Sequence, residues 1–193
     1  MIENRRLLLQ KAVFKKLPVR FWTPYEEGSI RGYVLDIGPR FFLLRLLEYD
    51  VRFDGFACFR LSDAGSLQVP DPQFAFIAAA LRKRNQPIPR KPRVNLDYLP
   101  ELLISANQLF PLVTIHRERV APDTCKIGRV VDVTKSRLSL QEITPDAVWE
   151  KKTSEVRLSE ITRVGFGGGY EEALHLVGGN PKRQKKSLRP SLL

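Results

Sequence analysis

Ile30-Arg31-Gly32-Tyr33-Val34-Leu35-Asp36-Ile37 and Lys126-Ile127-Gly128-Arg129-Val130-Val131-Asp132-Val133 are two versions of one segment. Gly32, Val34, Asp36 and Ile37 recur as Gly128, Val130, Asp132 and Val133 at a constant spacing of 96 residues. The same spacing carries Leu44 to Leu140, Leu47 to Ile143, Asp50 to Asp146 and Phe53 to Trp149. One residue later, Arg60-Leu61-Ser62-Asp63 returns as Arg157-Leu158-Ser159-Glu160. An internal repeat of this kind makes the half-chain the unit whose fold has to be explained.

Read once, that unit is a series of short strands. Residues 17–22 predict the first. In the second, Tyr33, Leu35 and Ile37 alternate with Val34 and Asp36, the period of a strand with two different faces. Gly38-Pro39 turns the chain into Phe41-Phe42-Leu43-Leu44, an apolar run expected of a buried or strongly curved strand. Asp54-Gly55 reads as a tight turn, followed by strands at residues 56–61 and 66–69. In the second half, residues 113–117, 126–133, 137–143, 154–158 and 161–166 fall in the corresponding places. The one inserted residue lies at Glu150-Lys151-Lys152, where a turn tolerates it.

Helices are expected around these strands. Asp71-Pro72 reads as a helix start, with Phe74, Ile77, Ala78 and Leu81 as the apolar stripe of a helix over 71–84. Its counterpart covers 170–177, with Tyr170, Ala173, Leu174 and Val177 at the same spacing. Leu99, Leu102, Leu103 and Leu109 predict a helix over 96–109, and residues 6–16 would be its equivalent, as a helix or a strand. Pro87, Pro89 and Pro92 deny residues 86–95 a helix and favour an extended spacer. The expected division is a first unit at 1–85, a basic linker at 86–95, a second unit at 96–179 and a disordered basic tail at 180–193.

Gly32-x-Val34-x-x-Ile37 with Phe41 to Leu44, and Gly128-x-Val130-x-x-Val133 with Leu138 to Leu140, resemble the Sm-like small β-barrel, a relative of SH3-type barrels. The resemblance is one of pattern and covers residues 17–69 and 113–166. It implies a mainly β chain with flanking helices (α+β), built as two tandem five-stranded barrels packed as an intramolecular pseudo-dimer. In the Sm family, the glycine permits a sharp bend of the second strand, and an Asp followed shortly by Asn contributes to RNA binding. This chain departs from that pattern. Asp36 and Asp132 precede the apolar residue, and Gly38-Pro39-Arg40 and Thr134-Lys135-Ser136 contain no Asn. Uridine binding therefore does not carry over, and Tudor-like and other SH3-type barrels compete for the same strand pattern.

No acid, base and nucleophile converge, so a catalytic site, a metal site and a cofactor are not expected. His116 and His175 lie outside any metal-ligand or nucleophile motif. Cys58 lies between Ala57 and Phe59 and reads as a packed thiol. Gly165-Phe166-Gly167-Gly168-Gly169 lacks the Lys-Ser/Thr of a phosphate loop and reads as a strand-to-helix hinge. The repeated Arg60 and Arg157 are candidates to pair with the repeated Asp36 and Asp132. Two cysteines, a leading apolar run of only Leu7 to Leu9 and no membrane-length segment set the expectation of a cytoplasmic protein with reduced thiols.

Charge is the one feature that names a partner chemistry. Lys and Arg outnumber Asp and Glu by 32 to 21, a net charge of +11 over 193 residues. Arg82, Lys83, Arg84, Arg90, Lys91 and Arg93 cluster around the linker, and Lys182, Arg183, Lys185, Lys186 and Arg189 fill the tail. Such segments neutralise phosphates without reading sequence. The expectation is a non-catalytic binding protein that takes RNA or another nucleic acid through these residues. The alternative is a protein-interaction adaptor using barrel edges or grooves, and such edges also leave oligomers open.

Overall fold

Residues 2–181 are described in a computed structural model of the chain. The repeated glycines show why the repeated segment has its composition. A Cβ at Gly32 would stand 2.2 Å from the Arg45 carbonyl oxygen, and one at Gly128 would stand 2.1 Å from that of Gln141. Both strands also slip register just beyond, between Val34 and Asp36 and between Val130 and Asp132. A close approach followed by a bulge bends a strand and raises its twist. Each half therefore bends its second strand at the same place.

The first half comprises α1 (Ile2–Lys15), β1 (Pro18–Phe21), β2 (Ile30–Ile37), β3 (Phe41–Leu47), β4 (Phe53–Arg60), β5 (Leu67–Gln68) and α2 (Phe74–Lys83). The second comprises α3 (Leu99–Leu109), β6 (Val113–Arg117), β7 (Ala121–Val133), β8 (Arg137–Glu142), β9 (Ser154–Arg157), a 3-10 turn over Leu158–Glu160, β10 (Arg163–Phe166) and α4 (Gly169–Gly178). The N-terminal segment is a helix, and β7 begins five residues before its expected start at residue 126, pairing Ala121 with Arg117. None of the helices among the described residues is long and apolar enough to cross a membrane.

Asp54-Gly55 is not the turn its residues predict. The hairpin turns earlier, where the Glu48 amide donates to Arg52 at 2.8 Å and Val51 takes φ of 60°. Asp54 and Gly55 lie inside β4 because the second half needs them there. The Gly169 amide, opening α4, donates to Asp54 Oδ1 at 2.7 Å, and a Cβ on Gly55 would meet Gly168 Cα at 2.8 Å. A carboxylate at a helix N-terminus satisfies an amide that has no partner within the helix.

The strands form one antiparallel sheet in the order β5-β1-β2-β3-β4-β10-β6-β7-β8-β9. Among the described residues the chain is thus mainly β with four α-helices, an α+β fold. Two separately closed barrels are not what the sheet shows. Neither half closes on itself, because β4 pairs with β10 of the other half, Phe59 facing Arg163 and Phe56 facing Phe166. Phe56, Phe110 and Phe166 pack across this junction with ring centroids 5.0–5.8 Å apart. Such pairs add about 0.5–1.5 kcal/mol each beyond their buried area.

The core follows the same division. Phe21, Phe42 and Phe59 lie at the centre of a first-half cluster. A second cluster crosses the junction, joining Phe41, Leu43 and Cys58 to Leu102, Val164 and Phe166. The end of the linker and the first residue after it are part of it. Val94 and Leu96 are buried, and a Cβ at Gly38 would fall 2.3 Å from the Leu96 carbonyl oxygen. Residues 86–95 are extended, as their prolines require, and Val94 anchors them in this core, so they are not a loose spacer.

Arg60 has a different partner from the one the repeat suggests. Its guanidinium donates to the Ile161 carbonyl at 3.0 and 3.2 Å and to that of Leu158 at 3.4 Å, crossing the junction. Asp36 binds Lys91 instead, at 2.7 Å, and Arg157 lies 4.0 Å from Glu160. The expected arginine–aspartate pair is absent in both halves, because Arg60 is taken up by the other half's carbonyls and Arg157 lies beside Glu160.

Candidate nucleic-acid interface

Helix α1 ends at Lys16, which takes φ of 51° while the Leu17 amide donates to the Ala12 carbonyl at 2.9 Å. This tight helix exit sets the Lys16 side chain beside α2 and the linker. Between them lies a cleft of about 480 Å³ lined by Lys16, Tyr33, Phe74, Leu81, Arg82, Asn85 and Ile88, among others. Lys16, Tyr33 and Ile88 also line a second cleft, of about 290 Å³, which continues to Arg90 and Lys91. Neither lining includes a carboxylate. The floor is apolar and aromatic, and the rim carries four cations. Burial, helped by the charge of Asp71, pushes the Tyr33 phenol above its ordinary range, so it stays a neutral hydroxyl.

A third cleft, of about 360 Å³, opens where the halves meet, at the far end of the linker. Arg40, Arg60 and Lys135 supply its charge, and Phe41, Tyr98 and Leu99 its apolar wall. Arg60 is held over the Phe41 ring at 5.2 Å, and Tyr98 is half exposed. The chain from the end of α2 through the linker to the start of α3, Arg82 to Tyr98, contributes lining residues to all three clefts.

The basic residues expected from sequence separate into groups. Arg82, Arg90 and Lys91 line the clefts, although Lys91 is also bound to Asp36. Lys83 and Arg93 are exposed beside them. Arg84 is structural: its guanidinium donates to the carbonyls of Asp50 and Val51, tying the end of α2 to the β3–β4 turn. Lys182, Arg183, Lys185, Lys186 and Arg189 lie outside the described residues. Sequence reasoning missed Lys16, Arg40, Lys135 and the aromatic floor. Arg40 and Lys135 carried a signal, since they sit in the same loop of each half.

The remaining candidate groups lie outside these three clefts. The His116 imidazole lies 3.0 Å from Arg163 and 3.7 Å from Glu118. Burial first, then the Arg163 charge, holds it down at about 3, so it is neutral. Cys58 is buried, which pushes its thiol up, whereas Cys125 is exposed. Gly167 takes φ of 65° and Gly168 precedes α4, so the glycine run is a strand-to-helix connection. Among the described residues no cluster of His, Cys, Asp or Glu is placed to hold a metal ion. Comparisons with protein-family models, curated proteins and solved structures find no match.

Proposed function

We propose that the protein is a non-catalytic nucleic-acid-binding protein that holds single-stranded RNA along the linker. The observation that carries this reading is the row of carboxylate-free clefts, with cations at the rim and aromatic or apolar floors. A single strand presents phosphates and flat, apolar bases together, which is the chemistry such a surface takes. Duplex DNA hides its bases and would engage the rim alone. We further propose that each half is an Sm-like or SH3-type unit, supported by the repeated strand order and the repeated bulge beyond Gly32 and Gly128. Small barrels host many ligands, so the ligand assignment rests on the clefts.

The test is anisotropy of labelled single-stranded RNA, single-stranded DNA and duplex DNA at two salt concentrations. Replacing Lys16, Arg82 and Arg90 together by Ala is expected to weaken RNA binding at least tenfold. It should also flatten the log–log salt slope by about 2, at about 0.7 per phosphate on a single strand. A chain ending at Gly179 should keep its preference for RNA. Equal losses from Lys83→Ala with Arg93→Ala would overturn the cleft reading in favour of diffuse charge. No binding to any of the three probes would overturn the proposal itself.

A further inference from the structure

The face of β10 turned away from the junction core carries a hollow to which the linker contributes no residue. Successive strand residues point to opposite faces, so Val164 and Phe166 enter that core while Arg163 and Gly165 face the other way. There Gly165 lies between Ala57 of β4 and Thr114 of β6. These three small residues floor a hollow of about 190 Å³, walled by Leu46, His116, Arg163, Asp54 and Glu171, among others. We infer that this hollow captures the free amino terminus of a partner polypeptide.

Neither glycine of this site is demanded by the backbone. A Cβ at Gly165 would meet nothing nearer than the Thr114 Cβ at 3.4 Å, unlike one at Gly32 or Gly128. At Gly168, with an ordinary φ of −87°, a Cβ would land 2.6 Å from Glu171 Oε2 and 3.4 Å from Asp54 Oδ1. Two carboxylates therefore converge on a space that a bare Cα leaves open. Thr114 donates to Glu171 Oε1 at 2.5 Å, and the Gly169 amide donates to Asp54 Oδ1 at 2.7 Å. Neither acid makes an ion pair among the described residues, although Arg45 feels the charge of Asp54. Two like charges so fixed favour a cation between them, and an ammonium, with three donors, can bond both.

The other end suits a neutral acceptor. Arg163 donates to His116 Nδ1 at 3.0 Å and is ion-paired with Glu26 at 2.7 Å and Glu118 at 3.4 Å, so its charge is balanced within the chain. Accepting at Nδ1 leaves the proton of the neutral imidazole on Nε2, which has no partner among the described residues. His116 and Arg163 stand one alternation, about 6.4–6.8 Å, along the strands from Thr114 and Gly165. A terminal ammonium and the peptide carbonyl that follows it span that distance with a hydrogen bond at each end. The cation meets Asp54 and Glu171, and the carbonyl oxygen accepts from the imidazole N–H. A free amino acid would instead bring a carboxylate beside Glu26 and Glu118.

The bound segment also has an exit. A second hollow, of about 420 Å³, shares Leu46 and Arg163 and opens past Ser29 and Glu48 to Tyr49, which is 98% exposed. It has room for the residues that follow the terminus. A floor of Ala57 and Gly165 lets a foreign backbone lie close to the sheet. Capture of a terminal amine by a few fixed groups is a recurring mode of peptide recognition. An acetylated terminus lacks the charge on which it depends.

Anisotropy of an octapeptide that begins with alanine and is labelled at its far end tests this on the full chain. The peptide with a free terminus is expected to bind, and its N-acetylated twin to bind at least tenfold more weakly. Glu171→Gln, which keeps an acceptor for Thr114, should weaken the free peptide at least tenfold and leave the acetylated one and the thermal midpoint unchanged. Gly165→Leu, which fills the hollow without changing charge, should abolish the difference between the twins. Alanine amide should compete, and alanine with a free carboxylate should not. Equal binding of the twins, or no binding of either, would overturn the inference. Competition by free alanine equal to that by the amide would overturn its assignment to a polypeptide. This inference stands independently of RNA binding.

Discussion

Gly32 and Gly128 are the residues where local geometry is least negotiable. The atoms a Cβ would strike are backbone carbonyl oxygens of the neighbouring strand, which cannot rotate aside. Gly32→Ala and Gly128→Ala are each expected to cost about 1–3 kcal/mol, read as a lower urea midpoint with an unchanged slope. An unchanged midpoint would show that the strands can part without penalty. His116 makes a prediction of a different kind. Its imidazole is held at about 3 in the folded chain and titrates near ~6.5 when unfolded. Between those values the unfolded state binds more protons, so stability is full above pH ~6.5 and falls as pH drops toward 3. Glu118, whose carboxyl burial pushes up, acts in the opposite direction. The informative quantity is therefore the difference from His116→Gln. From pH 7.5 to 5 the wild type should lose about 2 kcal/mol more than that variant in denaturant titrations. Parallel pH profiles would show that the folded imidazole accepts a proton.

At the scale of elements, the linker is the segment whose role changed most between sequence and structure. Its prolines and charges describe a solvated spacer, and its conformation is indeed extended. Val94 within it and Leu96 just past its end are drawn into the junction core. Leu96→Ala should therefore cost about 2–4 kcal/mol, as a core truncation does, where a spacer residue would cost almost nothing. Thermal denaturation distinguishes the two directly. The packing also explains how the cationic clefts form. A linker pinned at Leu96 holds Arg90 and Lys91 against α1, whereas a free linker would leave those charges in bulk solvent. The helix exits at Lys16 and Arg84 complete the arrangement, one supplying a rim cation and the other locking the β3–β4 turn.

For the whole molecule, the continuous sheet makes the two halves one cooperative body. Phe41, Leu43 and Cys58 share a core with Val164 and Phe166, so unfolding either half exposes apolar surface of the other. Calorimetry should show one transition with equal calorimetric and van't Hoff enthalpies. Two resolved transitions would mean that the junction contributes little.

The succession of strands could be read from the sequence alone, because apolar alternation is a local, residue-specific signal that the repeat states twice, whereas the bend at Gly32 and Gly128 was implied only by the Sm-like resemblance. The charges of the linker were legible for the same reason. Strand pairing across the halves was not, since backbone amides and carbonyls make that junction and carry no residue identity. The Asp54-Gly55 pair shows the limit sharply: its turn chemistry is real, yet the start of α4, 115 residues away, decides its use. The clefts depended on tertiary structure too. Lys16, Tyr33 and Arg82 are distant along the chain, and only the packing of α1, β2 and α2 brings them to one surface.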